Sequence, residues 1–564
     1  MNLAREARVL QRSDGVSVVL LLGLSVLLWL PRLQGPIDYR YDGAVYFILG
    51  TSLSEGKGYR LLNEPGEIPA VQYPPGLPAF VALHQWIMGT HNPLTVGHAL
   101  RLSFFVIFSI YLIAVYSIAR QFLQPVLALA VGVITAINSN CFFVSDFLFA
   151  DIPFSLTVIV FVLLNRQSQK PLYFFLTSLA AIAANLLRTA GIGLLAAWIL
   201  ESVCEKNWKQ TVLRTSVSLL PVVAWQGCIA WVTSGDEFKN PCYAYQRAPY
   251  VYYNVTYLEN LLLDQPFRPE EGKTTRKDLW NRFWLNLVAM PESLGEGIAS
   301  ENRYFLALMQ ERFLFFLGLK GLANAPVAHI PLVMVGCLVI GGTVLLLIRR
   351  EWLISIFAAV TVTLICLTPW PDQMGRYTVP LIPFFVIGLF LLLIAVNQFC
   401  RDRFSGVAKK IGFIFSILIV SLILIMEVYT VQRTFRELFM TSARLFWYDE
   451  TWTSYEESLD WLKDKVKSGE IIATWAPHWA YLRTGHKAVM PPMEIDSAKA
   501  QQLLDTVPAK YLILDEIDFQ ELVPHYSRPI ITHFPEKWQR IYVSPSRKTE
   551  IFERKNPEKD GHAG

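Results

Sequence analysis

The sequence predicts an α-helical polytopic membrane protein with about eleven transmembrane helices and a small C-terminal extracytoplasmic α/β domain. Of its 564 residues, 53% are hydrophobic and only 17% are charged, and the mean hydropathy is +0.36. Many apolar segments approach 20 residues, the length that crosses roughly 30 Å of hydrocarbon. The C-terminal region is polar, and helical and strand patterns alternate within it.

The spans follow from the apolar segments taken in order. The first is expected to be a membrane anchor and not a removed signal peptide, because more spans follow it. The run at 171–203 carries Arg188 near its middle, and an arginine at the bilayer centre is costly, so we divide this run into a hairpin with Arg188 at the turn. The predicted spans are about 16–33, 98–119, 124–142, 147–165, 171–187, 189–203, 211–232, 326–348, 352–370, 377–396 and 411–430.

The distribution of positive charge supports this topology. With eleven spans and a cytoplasmic N-terminus, most lysine and arginine clusters fall on the inner side, as the positive-inside rule requires. A single span over 171–203 would move Arg349, Arg350 and the cluster at 401–410 to the outside. We therefore expect eleven spans and an extracytoplasmic C-terminus.

Three longer segments then face outward: 34–97, 233–325 and 431–564. We predict a transmembrane domain over 1–430, with the first two segments as its outer loops, and an extracytoplasmic α/β domain over 431–564. The segment 73–89 is apolar, short and proline-containing, which favours a helix at the membrane interface. In the C-terminal domain we expect helices at 455–466 and 497–507, strands at 470–475 and 510–516, and a disordered tail at 558–564.

Acidic and basic groups converge on the predicted outer face. The carboxylates are Asp38, Asp42, Asp146 and Asp151, and the guanidinium groups are Arg188 and Arg376. Carboxylates can bind sugar hydroxyls or accept a proton from a nucleophile, and arginine can hold a phosphate through two hydrogen bonds. Such a set suits an enzyme that acts on an amphiphilic anion. The alternatives are local ion pairs, such as Asp38 with Arg40, and a purely topological role for Arg376.

Other function classes are less well supported. A formal charge of +4 does not favour nucleic-acid binding, and the seven cysteines show no metal-ligand spacing. His478 and His486 are eight residues apart, which is not a ligand signature, so no metal and no cofactor are expected. A transporter would carry acids inside its spans and an internal repeat, whereas here most charges lie at the span ends and no repeat is visible. An inactive lipid-binding or scaffold protein stays open as an alternative.

Five motifs occur in an order typical of one family. They are YDGAVYFILGTSLSEGKGY (41–59), YPPGLPAF (73–80), ADIPFSL (150–156), LLRTAG (186–191) and GRYTVPLIPFF (375–385). Together they resemble the integral-membrane glycosyltransferases of the GT-C superfamily that use polyprenyl-phosphate sugars, among them protein O-mannosyltransferases and the aminoarabinose transferase of lipid A. The resemblance covers roughly residues 15–400.

This resemblance implies roles for individual residues. Asp42 opens the family's Asp-x-x-x-Tyr pattern, which ends at Tyr46, and is expected to be the catalytic base. Asp151 matches a second catalytic acid, and Arg376 is expected to serve the donor phosphate. The chain departs from the family by having Gly43 instead of glutamate and Tyr73 instead of lysine before the proline, so lipid A specificity does not follow. The substrate contacts expected in total are Arg376, Arg188, Tyr46, Tyr73, His84, Asp146 and Asp38.

The implied activity is transfer of a hexose or pentose, with inversion, from a polyprenyl-phosphate donor to an acceptor at the outer face of the cell (inner) membrane. The acceptor is a glycolipid, a glycan or a protein. A lipid phosphate is a good leaving group, whereas an acceptor hydroxyl needs a base. Partial desolvation beside the membrane would make a carboxylate a better base.

Overall fold

The computed structural model describes residues 12–247, 249–300, 329–441, 448–517 and 520–555. The chain forms two compact units. The first comprises residues 1–35, 101–222 and 280–441, and the second comprises residues 36–100, 223–279 and 442–564. The second unit therefore groups much of the outward segments 34–97 and 233–325 with the C-terminal region.

Helices dominate the described residues. In chain order they are α1 Arg12–Trp29, α2 Asp42–Ser54, α3 Gly76–Met88, α4 Pro93–Ala119, α5 Pro125–Ile137, α6 Ser139–Asp146, α7 Asp151–Asn165, α8 Pro171–Leu187, α9 Gly191–Cys204, α10 Trp208–Ser234, α11 Asp236–Lys239, α12 Tyr257–Leu261, α13 Arg276–Ala299, α14 Ile330–Ile348, α15 Trp352–Cys366, α16 Met374–Tyr377, α17 Ile382–Arg403, α18 Ile411–Thr441, α19 Glu450–Lys463, α20 Pro477–Thr484, α21 Ser497–Asp505 and α22 Arg528–His533.

Length and composition confirm a polytopic helical membrane protein. Among the described residues, six helices are long and apolar enough to cross a membrane, and the bent pair α5 and α6 would make a seventh. Four shorter apolar helices, α7, α8, α9 and α15, lie where further spans were predicted. The exact number of eleven spans stays a prediction.

The helices are interrupted at two places within predicted apolar segments, near Arg188 and near Asn138. Helix α8 ends at Leu187 and α9 begins at Gly191, which confirms the turn predicted at Arg188. The predicted span 124–142 is broken near its middle, because α5 ends at Ile137 and α6 begins at Ser139 after a bend of 52°. At this break the Asn138 side chain accepts a hydrogen bond from the Cys141 backbone amide and so caps the start of α6.

Small residues bring helices of the first unit into close contact. A Cβ on Gly342 of α14 would lie 2.4 Å from the carbonyl carbon of Gly388 in α17. A Cβ on Gly336 would lie 1.7 Å from the Pro291 carbonyl oxygen of α13. Only glycine permits backbones to approach so closely, the packing that membrane helices commonly use.

The second unit contains a five-stranded mixed sheet with the order β2-β1-β3-β5-β4. The strands are β1 Ile471–Ala473, β2 Ala488–Val489, β3 Ala509–Asp515, β4 Trp538–Val543 and β5 Thr549–Arg554. β2, β1 and β3 are parallel, and β5 pairs antiparallel with β3 and β4. Strands β1 and β3 and helices α19 and α21 confirm the predicted C-terminal α/β pattern.

The same unit holds α2 and α3, which pack against each other at Gly50. A Cβ there would lie 2.7 Å from the Val81 side chain. Helix α3 confirms the helix predicted at 73–89. Its Leu83, Trp86 and Ile87 side chains are exposed, which is consistent with a membrane-interface helix. Its position at the interface stays a prediction.

Two expectations lie wholly or partly outside the described residues. The tail at 558–564, expected to be disordered, is one. The second is the predicted outer segment 233–325, which is described over 233–247 and 249–300 and contains α11, α12 and α13 there.

Candidate active-site residues

Asp42 is the first residue of α2 and is half-buried. The Tyr73 hydroxyl donates a hydrogen bond to Asp42 Oδ1 over 2.9 Å. Burial, and next the nearby Asp42 charge, raise the pKa of Tyr73 well above its ordinary value, so this hydroxyl keeps its proton and serves as a donor. A carboxylate at the start of a helix is also favoured by the helix dipole. Asp42 is thus held as an oriented carboxylate.

Aromatic side chains support this pair. Tyr46 lies one helical turn after Asp42, and its ring contacts Tyr73 edge to face at 5.0 Å. Their packing fixes the Tyr73 ring against α2. His84, a third predicted substrate contact, bonds through Nδ1 to the Phe80 carbonyl of its own helix at 2.9 Å. The structure thus joins Tyr46 and Tyr73 to Asp42, while the contact found for His84 is within α3.

Asp38 forms the local ion pair that the sequence left open. Its carboxylate receives Arg40 Nη2 at 2.8 Å and Nε at 2.9 Å, and both side chains are almost fully buried. Asp38 Oδ1 also accepts from the Arg40 backbone amide at 2.9 Å. The Arg40 guanidinium lies 5.2 Å from the ring centroids of Tyr448 and Trp452. This arrangement shapes the turn that leads into α2.

In the first unit, Asp151, Arg188 and Arg376 form one cluster. Asp151 begins α7, Arg188 follows α8, and Arg376 lies in α16. Arg188 Nη1 donates to Asp151 Oδ1, and Arg376 Nη2 and Nε lie 3.3 and 3.4 Å from Oδ2. The Asp151 side chain is 1% exposed, whereas each arginine side chain is 15% exposed. The charges of these three groups sum to +1.

Aromatic rings flank both arginines of the cluster. The Arg376 guanidinium lies 4.0 Å from the Phe149 ring centroid, and Arg188 lies 5.8 Å from the Tyr377 ring. Such cation–π contacts orient a guanidinium without neutralising it. The cluster is therefore an ordered, net cationic group with a partly accessible surface, which suits an anionic ligand.

Asp146, the other predicted substrate-binding acid of this unit, has different arginine partners. Arg101 Nη1 donates to its Oδ1 at 2.5 Å, and Arg32 Nη1 lies 3.6 Å away. Arg32 also donates to Ser145 Oγ at 3.0 Å and stacks over Trp29 at 4.0 Å. All three charged side chains are buried, so this triad braces α1, α4 and α6.

Arg32 and Arg101 were missed by the sequence analysis. Each lies at the outer end of a predicted span, as Arg188 and Arg376 do, and that shared placement was the available signal. Glu427 was also missed, although it is an acid inside an apolar segment. It is fully buried and accepts from the Ser139 amide at 2.7 Å and the Asn138 side chain at 2.9 Å. Glu427 thereby provides a hydrogen-bond acceptor for the backbone amide at the start of α6.

Two histidines of the C-terminal region were weighed as metal ligands. His478 is buried, and His486 Nε2 lies 3.1 Å from the Lys463 carbonyl. In the described part of the chain no group of three or more His, Cys, Asp or Glu side chains could hold a metal ion.

Comparison with known proteins gives a structural result only. No family model matches the chain, and no curated protein matches its sequence. The apo crystal structure of an Archaeoglobus fulgidus oligosaccharyltransferase matches with a TM-score of 0.54 at 11% identity, covering 97% of this chain and 75% of that one. The complex of that protein with zinc and sulfate gives 0.53 at 12% identity, covering 94% and 72%.

A crystal structure of ArnT from Cupriavidus metallidurans bound to undecaprenyl phosphate has a TM-score of 0.49 at 11% identity, covering 96% of this chain and 98% of that one. At such low identities the oligosaccharyltransferase likeness is evidence of a common fold. It agrees with the apolar helices and with the expectation from the sequence motifs. The chain therefore shares the fold of the Archaeoglobus fulgidus oligosaccharyltransferase, and its apolar helices are those of a multi-pass membrane protein.

Proposed function

We propose that the protein transfers a sugar from a polyprenyl-phosphate donor to an acceptor hydroxyl at the extracytoplasmic face of the cell (inner) membrane. The transferred sugar is a hexose or a pentose. The fold supports glycosyl transfer as the class of activity, and the motif resemblance supports a lipid-linked donor. The main observation in support of the proposal is that Arg188 and Arg376 both contact Asp151 in the first unit.

The cluster suits the phosphate of a lipid-linked sugar. Two guanidinium groups share one buried carboxylate, so their net charge of +1 favours an anion. Arginine presents planar, fixed N–H donors that match phosphate oxygens. These donors would stabilise the charge that develops on the phosphate as the sugar leaves it.

Asp151 then serves as a positioning residue. Its two oxygens are each engaged by an arginine, and its side chain is 1% exposed. A general base needs an oxygen within reach of the acceptor proton. We therefore assign Asp151 to holding Arg188 and Arg376 and not to proton transfer, which revises the catalytic role that the motif implied.

Asp42 is the proposed base. It is half-buried, lies at a helix start and is oriented by the Tyr73 hydroxyl. The acceptor oxygen attacks the anomeric carbon while its proton passes to Asp42, and the bond from that carbon to the phosphate oxygen breaks. The lipid phosphate leaves with the bonding electron pair. This single displacement inverts the anomeric configuration.

The test is transfer by the purified full-length protein in lipid nanodiscs. A panel of undecaprenyl-phosphate sugars is incubated with a membrane extract, and products are followed by mass spectrometry. We expect one donor to be consumed, and Arg376→Gln to raise the donor KM by about tenfold or more through loss of a charge-assisted contact. Arg433→Gln is the matched control, because Arg433 is exposed and its ion pair with Glu437, at 2.9 Å, is local to one helix. Absence of transfer from every donor would contradict the proposal.

A further inference from the structure

The first half of α13 carries its large apolar side chains on the outside. Within the first unit, Trp280, Trp284, Leu285 and Val288 are 60%, 46%, 72% and 78% exposed. Steps of three and four residues join them, so they share one face of the helix. Surfaces in contact with water rarely expose so large an apolar patch, which marks a contact with a membrane or with another protein.

Polar side chains of the same helix turn inward instead. Asn286 Nδ2 donates to the Cys366 carbonyl at 3.0 Å and to the Thr368 carbonyl at 3.3 Å. Arg282 Nη1 donates to the Leu367 carbonyl at 3.4 Å. A helix with polar groups bonded inward and apolar groups outward is suited to hydrocarbon, because polar groups in lipid must find their partners within the protein.

The carbonyls that receive these bonds lie at the end of a short apolar helix. α15 has 15 residues and is therefore about 22 Å long, less than the roughly 30 Å of a hydrocarbon core. Arg349 and Arg350 precede it and mark its inner end under the predicted topology. Its other end then lies within the outer leaflet, where water does not reach the last carbonyls, and Arg282 and Asn286 supply the donors that they need.

Contacts with α14 place α13 at the same depth. A Cβ on Gly336 would lie 1.7 Å from the Pro291 carbonyl oxygen, and a Cβ on Gly295 would lie 1.9 Å from the Leu332 carbonyl oxygen. Gly336 is six residues beyond Ile330, the first residue of α14, which corresponds to about 9 Å along the helix. Because α14 is long and apolar enough to cross a membrane, α13 runs beside a candidate span and not above it.

The exposed face is graded in polarity. The Trp280 and Trp284 rings meet edge to face at 5.5 Å, and Phe283 lies 6.0 and 5.6 Å from them. Asn281 is exposed beside Trp280. Indole and amide groups suit the level of the lipid headgroups, whereas Leu285 and Val288, farther along the helix, are purely apolar.

We propose that residues 280–288 of α13 dip into the outer leaflet, with phospholipid acyl chains against Trp284, Leu285 and Val288. A protein partner fits this face less well, because protein interfaces combine an apolar centre with a polar rim, and Arg282 and Asn286 are engaged inward. This lipid contact goes beyond the proposed function and does not depend on sugar transfer.

Quenching by brominated lipid tests the contact directly. The full-length protein is placed in nanodiscs of phosphatidylcholine that carries bromine on its acyl chains, which quenches tryptophan fluorescence on contact. Trp280→Phe combined with Trp284→Phe keeps the face apolar and should lower the quenched fraction of the emission. Trp461→Phe, in α19 of the second unit, is the control and should not lower it. A quenched fraction equal to that of wild type in the double variant would overturn the proposal.

A charge on the same face gives a second test. Val288→Asp should lower the thermal unfolding midpoint in nanodiscs, because a carboxylate in hydrocarbon is costly. Val407→Asp is the matched control, since Val407 is 83% exposed in the short segment Gly406–Lys410 of the same unit, and it should keep the wild-type midpoint. A wild-type midpoint for Val288→Asp would contradict the lipid contact. So would a dimer in nanodiscs that the double tryptophan variant abolishes, which would identify a second copy as the partner. The quenching comparison decides even if Val288→Asp does not fold.

Discussion

The Tyr73 hydroxyl donates a hydrogen bond to Asp42 Oδ1 over 2.9 Å. The two residues come from different segments, one at the start of α2 and the other just before α3. Tyr73 is the position at which the motif resemblance would place a lysine, and here the Asp42 carboxylate receives a neutral donor instead. A lysine ammonium group at that position could also form an ion pair with a phosphate. The uncharged phenol of Tyr73 cannot form such an ion pair.

Tyr73→Phe should lower kcat about tenfold and leave the donor KM within about twofold. The phenyl ring keeps the packing against Tyr46, while the carboxylate loses a donor that orients it, and a hydrogen bond to a charged group contributes about 1.5–3 kcal/mol. Steady-state kinetics of transfer measure both constants. Tyr542→Phe, in strand β4, is the control and should behave as wild type. An unchanged kcat would show that the bond has no catalytic role.

Asp151→Asn should destabilise the protein and raise the donor KM. Removing one partner of a buried ion pair costs about 3–5 kcal/mol, and here two arginines lose their shared carboxylate. Thermal unfolding in nanodiscs and donor titration test the two effects. If Asp151 were instead the base, the variant would lose kcat and keep its donor KM, which would contradict the positioning role.

Glu427→Ala should lower the free energy of unfolding by about 2 kcal/mol or more, because it removes the acceptor of the Ser139 amide at the start of α6. The same change at Glu437, an exposed residue of the same helix, should have little effect. Thermal unfolding of both variants decides the comparison. Equal stability of the two would mean that the broken segment after Ile137 is held by other contacts.

The pKa of about 7 at Asp515 predicts a pH-dependent stability. Between the ordinary pKa of 3.8 and 7, the folded state keeps a proton that the unfolded state releases, so stability from this group falls as pH rises through that window. Above pH 7 the cost of the buried charge is complete, on the order of 4 kcal/mol.

Asp515→Asn removes that cost. The variant should therefore match wild type near pH 4 and exceed it increasingly up to pH 7, as measured by unfolding midpoints across that range. Asp464→Asn, the same change at an exposed residue of the second unit, is the control. A constant difference between Asp515→Asn and wild type at every pH would contradict the assigned titration.

The hydrophobic and charge patterns predicted most of the helical architecture, because burial in lipid imposes long apolar segments and restricts where arginine can lie. The turn at Arg188 followed from that restriction. The break at Asn138 was not predicted. An asparagine within an apolar segment gives no sign of capping a helix until its partners Cys141 and Glu427 are known.

For the candidate site, the sequence identified charged residues but not their pairing. Asp38 and Arg40 are close in sequence, so their ion pair could be foreseen as a local alternative. Asp151 with Arg376 and Asp146 with Arg101 join distant segments, and no spacing rule connects such residues.

The decisive measurement is sugar transfer by Asp42→Asn with the donor that wild type consumes, compared with Asp236→Asn, an exposed acid in the same unit. Asparagine keeps the shape of the side chain and cannot accept the proton. We expect kcat to fall at least 10³-fold, within the range that general-base catalysis contributes, with donor binding and thermal unfolding unchanged and Asp236→Asn fully active. Transfer by Asp42→Asn at the wild-type rate would contradict Asp42 as the base.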